Sequence, residues 1–133
     1  MVDTGPLYAA VDRDDQDHRR SVAALQQSGL RLVIPMLAVT EACYLIATRL
    51  GPSVEAGFVA SLSQFDVRAP EPQDWKRIGE LVKQYAHLRL GTVDASIVVL
   101  AERLRTRLVI TLDRRHFAAV RAADGRPFEL LPA

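Results

Sequence analysis

Asp3, Glu41, Asp94 and Asp113 are the side chains from which chemistry could be built. Asp3 closes the apolar stub Met1-Val2, and Glu41 interrupts the apolar run Leu37-Ala38-Val39-Thr40-Glu41-Ala42-Cys43. Asp94 stands near the start of Thr92-Val93-Asp94-Ala95-Ser96-Ile97-Val98, and Asp113 ends Leu108-Val109-Ile110-Thr111-Leu112. A carboxylate on an otherwise buried element is expensive unless something cationic pairs with it. Two carboxylates about 5 Å apart repel by roughly 3 kcal/mol at an effective dielectric near 20. Four in one place therefore take up protons or bind a cation. An all-oxygen set favours Mg²⁺ or Mn²⁺ over zinc. With such an ion, in-line attack of water on a phosphodiester becomes accessible at neutral pH. Thr4 and Thr111 each adjoin an acid and could orient it through their hydroxyls.

For the four acids to meet, the elements that carry them must share an edge. The pattern predicts a helix from Asp3 or Thr4 with Pro6 in its first turn, and a second helix with Val22, Ala23 and Leu25 inward. A short buried strand over residues 31–35 and a helix over 36–50, ended by Gly51-Pro52, come next. Residues 53–64 read as a helix carrying Val54, Phe58, Val59 and Leu62 at helical spacing, and 65–68 as a weaker strand. Trp75, Ile78, Leu81, Val82 and Tyr85 form an apolar stripe on a helix beginning near Pro72. A helix from Thr92 to about Arg105, a strand ending at Asp113 and an edge strand over 128–131 complete the chain. Strands alternating with helices imply a three-layer α/β fold, a mostly parallel central sheet flanked by helices. Asp3 and Asp113 then lie at C-terminal strand ends, and Glu41 lies on a helix leaving such an end. Asp94 opens a helix that must return to the N-terminal edge of the next strand, so it too starts at the C-terminal edge. Open α/β sheets place their ligands there.

The 133 residues suit a single domain with one core, and no apolar run reaches the length of a membrane helix. No leader-like segment opens the chain, and one cysteine, Cys43, excludes an internal disulfide, so a reducing cytoplasm is expected. Cys43 itself reads as a core residue of its helix. The net charge of +1 is unevenly divided: with the four acids set aside, twelve acidic groups face 17 basic ones, fifteen of them arginine. A basic surface around an acidic pocket suits a polyanion substrate.

Taken singly, Asp3 and Asp94 also fit helix caps or first-turn acids, and Asp113 a turn residue. Together with their neighbours they resemble the PIN-domain ribonucleases, specifically the VapC toxins of bacterial toxin–antitoxin pairs. The matching stretches are Val2-Asp3-Thr4-Gly5-Pro6-Leu7, Thr40-Glu41-Ala42, Val93-Asp94-Ala95-Ser96-Ile97-Val98 and Thr111-Leu112-Asp113-Arg114-Arg115-His116-Phe117. The resemblance implies the PIN fold, with Asp3, Glu41, Asp94 and Asp113 as metal-binding and catalytic residues holding Mg²⁺ or Mn²⁺. It implies endonucleolytic cleavage of structured RNA such as tRNA or rRNA loops, inhibition by a cognate VapB-type antitoxin, and a homodimer. Family members carry more apolar residues before the first aspartate, so either the first strand is very short here or the sequence begins late.

Arg114 and Arg115 follow Asp113 directly and are expected to bind RNA phosphate, with Arg89 a weaker candidate. His116 reads as a structural neighbour of Phe117, His18 and His87 as surface residues, and Trp75 with Tyr85 as core or dimer packing. An aspartyl-phosphate enzyme would want paired aspartates at the first strand and a lysine at a later one; Thr4-Gly5 follows Asp3, and the only lysines, Lys76 and Lys83, lie on the Trp75 helix. A PIN domain acting only as a binding or dimerisation module is the alternative that stays open.

Overall fold

The computed structural model describes all 133 residues. Its elements are α1 (Thr4–Val11), α2 (His18–Leu25), β1 (Val33–Pro35), α3 (Met36–Leu50), α4 (Pro52–Ser61), β2 (Asp66–Arg68), α5 (Asp74–Gln84), α6 (Thr92–Arg103), β3 (Leu108–Ile110), α7 (Arg114–Ala119) and β4 (Glu129–Leu131). β1 pairs with β2 and β3 with β4, both in parallel. The short first strand joins these pairs. Val2 donates its N–H to Val33 at 3.1 Å, while Ile110 donates to Met1 at 2.8 Å and Asp3 to Ile110 at 2.9 Å. Residues 1–3 thus run parallel to β3 and complete the order β2, β1, residues 1–3, β3, β4.

Side-chain alternation along these central strands makes the three layers. Val2, Ile34 and Ile110 face a core shared with Leu7 of α1, Ala24 of α2 and Ala38, Val39 and Ala42 of α3. Met1, Val33 and Val109 face the opposite core, built from Ile78 and Leu81 of α5, the buried run Ala95–Ala101 of α6, and Phe117. The period of two in a strand sends neighbours to opposite faces, so two adjacent residues on each of three strands serve both cores.

Punctuation follows the expected chemistry. Asp3 caps α1 through its side chain. Gly51, at φ 92°, ends α3 in a conformation that costs a glycine little, and Pro52 opens α4 at once.

Several sequence expectations shift. The inward ridge of α2 is Ser21 and Ala24, whereas Ala23 is exposed and Val22 and Leu25 are half-buried. The 53–64 helix divides into α4 and a 3₁₀ turn at Leu62–Gln64, and nothing on α4 is fully buried; Val54 and Val59 face outward. On α5 the ridge is Asp74, Ile78 and Leu81, because Asp74 takes the buried slot in the first turn by pairing with Arg103 of α6 at 2.9 Å. Trp75, one position around the helix, is thereby turned outward and is 49% exposed, so it is not core. β3 stops at Ile110, and a helix absent from the sequence reading, α7, begins immediately after Asp113.

Candidate functional site

The C-terminal edge of the sheet opens into a cleft of about 700 Å³. Asp3, Glu41, Asp94 and Asp113 all line it, together with Thr4 and Arg89. Four acids from four separate elements meet there, but they are not equivalent. Asp3 is 6% exposed, Asp94 and Asp113 are half-buried, and Glu41 is exposed on the rim of α3.

Asp3 is the most rigidly held. Its Oδ1 accepts the Thr4 N–H at 2.7 Å, and its Oδ2 accepts the Thr111 hydroxyl at 2.7 Å. That hydroxyl also accepts the Asp113 N–H at 3.0 Å. Thr111, itself buried, therefore ties the Asp3 carboxylate to the backbone of Asp113. The Thr4 hydroxyl is buried and has no hydrogen-bond partner within the protein, an expensive arrangement unless a ligand supplies one.

His116 stands closer to the acids than its reading as a structural neighbour of Phe117 implies. Its Nδ1 lies 3.0 Å from Asp94 Oδ2 and 3.0 Å from Asp113 Oδ2, so it bridges two of the acids instead of merely flanking Phe117. The cause is local: Asp113 caps α7, accepting the His116 N–H at 3.3 Å, and that helical turn brings the ring back over the cleft. An aspartate three residues before a histidine at a helix start was the available signal. Donor atoms of Asp94, Asp113 and His116 lie within 4.8 Å of one another. An imidazole thus stands beside the oxygen donors to which the sequence pointed, within reach of the same ion.

The electrostatics agree with a cation-seeking cluster. Burial pushes the Asp3 carboxyl up from 3.8 to about 6; the Thr111 hydrogen bond opposes this, and the Asp94 and Glu41 charges add to it. Burial also raises Asp94, against the pull of His116 and with the push of Asp113 and Glu41. Buried like charges shift in this way when the positive charge beside them is too small to offset burial. The donor set, its spacing and the partnerless Thr4 hydroxyl fit a divalent cation.

Of the basic candidates, Arg89 lines the cleft, whereas Arg114 and Arg115 do not. Both are exposed on the first turn of α7, and Arg114 donates to the Pro132 carbonyl at 2.8 Å.

The model of the PIN domain family matches residues 1–123. The chain belongs to that family. Across 134 aligned positions and 99% of both chains, this PIN domain is 34% identical to Ribonuclease VapC26 of Mycobacterium tuberculosis (strain ATCC 25618 / H37Rv), which puts it in the VapC group. Its fold also matches the crystal structure of Mycobacterium tuberculosis VapC20, described as a sarcin-ricin loop cleaving toxin. The TM-score is 0.79 over 85% of this chain and 88% of that one, at 14% identity, a likeness of fold alone. No helix of this PIN domain is long and apolar enough to cross a membrane.

Proposed function

We propose that this PIN domain is a divalent-metal-dependent endoribonuclease, the toxin of a toxin–antitoxin pair, cutting phosphodiester bonds in structured RNA such as tRNA or rRNA. The observation that carries the reading is the convergence of Asp3, Glu41, Asp94 and Asp113 in one cleft at the ligand-binding edge of a parallel sheet. The 34% identity to a ribonuclease over the whole chain supports it independently.

In this reading Asp3, Asp94, Asp113 and Glu41 hold Mn²⁺ or Mg²⁺, with His116 as a nitrogen ligand or as the partner that orients Asp94 and Asp113. A bound ion supplies Lewis-acid stabilisation of charge on the phosphodiester oxygens and lowers the pKa of the attacking water. Asp3 is the fixed member, its two oxygens oriented by the Thr4 N–H and the Thr111 hydroxyl. Thr111 carries that order to the Asp113 backbone. The Thr4 hydroxyl is free to donate to an oxygen in the cleft. Glu41, on the rim, is the acid with most freedom to adjust as substrate enters.

The same family membership leads us to expect a VapB-type antitoxin as the partner that restrains the activity, and pairing with a second copy of the chain. Met36 and Tyr44 of α3 and Trp75 of α5 offer exposed apolar surface for such contacts.

The test is cleavage of total bacterial RNA by the purified protein with Mn²⁺, Mg²⁺ or EDTA, beside an Asp94→Asn variant. Discrete metal-dependent fragments, absent from the variant, are expected. Equal cleavage by the variant would overturn the site, and metal binding without cleavage of any RNA would favour a binding module.

A further inference from the structure

Arg89 is the single cation among the residues lining the acidic cleft. Arginine close to carboxylates ordinarily forks onto one of them. Arg89 does not: its guanidinium makes no ion pair within 4.0 Å and no hydrogen bond, although four carboxylates share its cleft. Its exposed side chain is therefore not spent on neutralising the cluster.

The backbone beneath it gives a second reason to look for a ligand. Arg89 follows the 3₁₀ turn Ala86–Leu88 and sits at φ 55°, ψ 38°, in the left-handed region. The turn is closed by main-chain bonds from Arg89 N–H to Ala86 and from Leu90 N–H to Tyr85, neither of which needs the side chain. Glycine would satisfy such a turn with less strain. The next residue, Leu90, is buried in the core and anchors the segment, so the arginine is held at a fixed place on the rim. The local fold thus tolerates an arginine that it does not require.

An RNA strand must lay a negative phosphate at each nucleotide across a cleft whose other charged side chains are all acidic. The metal ion of the ribonuclease reading attracts the phosphate that is cut, but a flanking phosphate needs a second cation beside the acids, fixed in position and unpaired in the free protein. We propose that Arg89 is this residue: it grips a phosphate of the RNA backbone flanking the one that is cut, and so seats the strand over the carboxylates. It takes the role expected of Arg114 and Arg115, which do not line the cleft. The inference rests on the ribonuclease reading above, and it names a substrate-binding residue within that site.

The experiment measures initial rates of cleavage of total bacterial RNA in Mn²⁺, over a range of RNA and KCl concentrations. It compares the parent protein with Arg89→Gly, Arg89→Gln and Arg89→Lys. Glycine relieves the positive φ, so the Gly variant keeps the parent's thermal midpoint and its stabilisation by Mn²⁺. Its apparent KM rises about tenfold, the loss of one charged hydrogen-bonded contact, while kcat changes little. The dependence of log KM on log salt becomes shallower by about 0.7, one phosphate contact to a single strand. Gln behaves like Gly, and Lys recovers part of the affinity because it keeps the charge without the fork. Parent-like KM and salt dependence in the Gly variant, with the parent cutting RNA, would overturn the role of Arg89 and leave the ribonuclease reading standing. A fall in kcat at unchanged KM would overturn it equally. A parent that cuts no RNA would remove both.

Discussion

Replacing Asp3 with asparagine should make the metal-free protein more stable at neutral pH while abolishing its response to metal. Asp3 is 6% exposed, and its carboxyl is pushed up from 3.8 to about 6, chiefly by burial. The folded chain therefore binds that proton more tightly than the unfolded chain does. The penalty for ionising Asp3 is absent below about pH 4, grows as pH rises through the window to about 6, and is complete above it. Its full size is about 3 kcal/mol. Asparagine stays neutral and escapes this penalty. Some of the gain is returned, because the Thr111 hydroxyl loses its carboxylate acceptor, a loss of about 1 kcal/mol. The net expectation is a variant about 1–2 kcal/mol more stable than the parent at pH 7.5 in EDTA, an advantage that is gone by pH 4, where the loss of about 1 kcal/mol at Thr111 is all that remains. Urea unfolding of both proteins at several pH values reads this directly, since all other titrating groups are common to the pair. Adding Mn²⁺ at pH 7.5 should reverse the ranking, by stabilising the parent alone. A variant less stable than the parent at pH 7.5 in EDTA, or a difference that ignores pH, would refute the argument that burial strains this carboxylate.

Three further outcomes follow from contacts described above. Thr111→Val keeps the shape but strands both Asp3 Oδ2 and the Asp113 N–H, so it should lose about 1–3 kcal/mol at pH 8 and less at pH 5, by urea unfolding. His116→Ala should weaken Mn²⁺ binding by about tenfold or more, read from metal-dependent thermal midpoints. A stronger metal response would mean that the ring competes with the ion. Arg103→Met leaves the buried Asp74 carboxylate without its cation and should destabilise by about 3 kcal/mol in a denaturant titration; adding Asp74→Leu should restore much of that loss.

Much of the fold was legible because the strong signals were local. Gly51-Pro52 fixed the end of α3, Pro6 behind Asp3 fixed the start of α1, and the β-branched run at 109–111 marked β3. The convergence of the acids was legible too, since a parallel sheet leaves few places for the starts of helices and the ends of strands. What escaped was set by contacts far apart in the chain. Asp74 displaced Trp75 from the inward ridge through an arginine 29 residues away, and no period read from α5 alone contains that information. His116 escaped for the opposite reason. Its helix has only six residues, too few for a period to emerge, and its cap was the same aspartate already assigned to the metal. Arg114 and Arg115 were judged by adjacency to Asp113, but the first turn of α7 carries them out of the cleft.

The strand made by residues 1–3 gives the protein a timetable. Met1 pairs with Leu108, 107 positions away, and Asp3 reaches its orienting hydroxyl on Thr111 only across the same gap. Contacts so distant in sequence close late, because the loop between them must be ordered first. At about 5–20 residues per second on a ribosome, roughly ten seconds separate the synthesis of these partners. Through that interval α1–α4 can form, but Asp3 has neither Thr111 to orient it nor Asp94 and Asp113 beside it. The cleft comes into being only once the segment from Asp94 to Asp113 has been made and has closed onto residues 1–3, so the four acids of a nascent chain stay apart until β3 emerges.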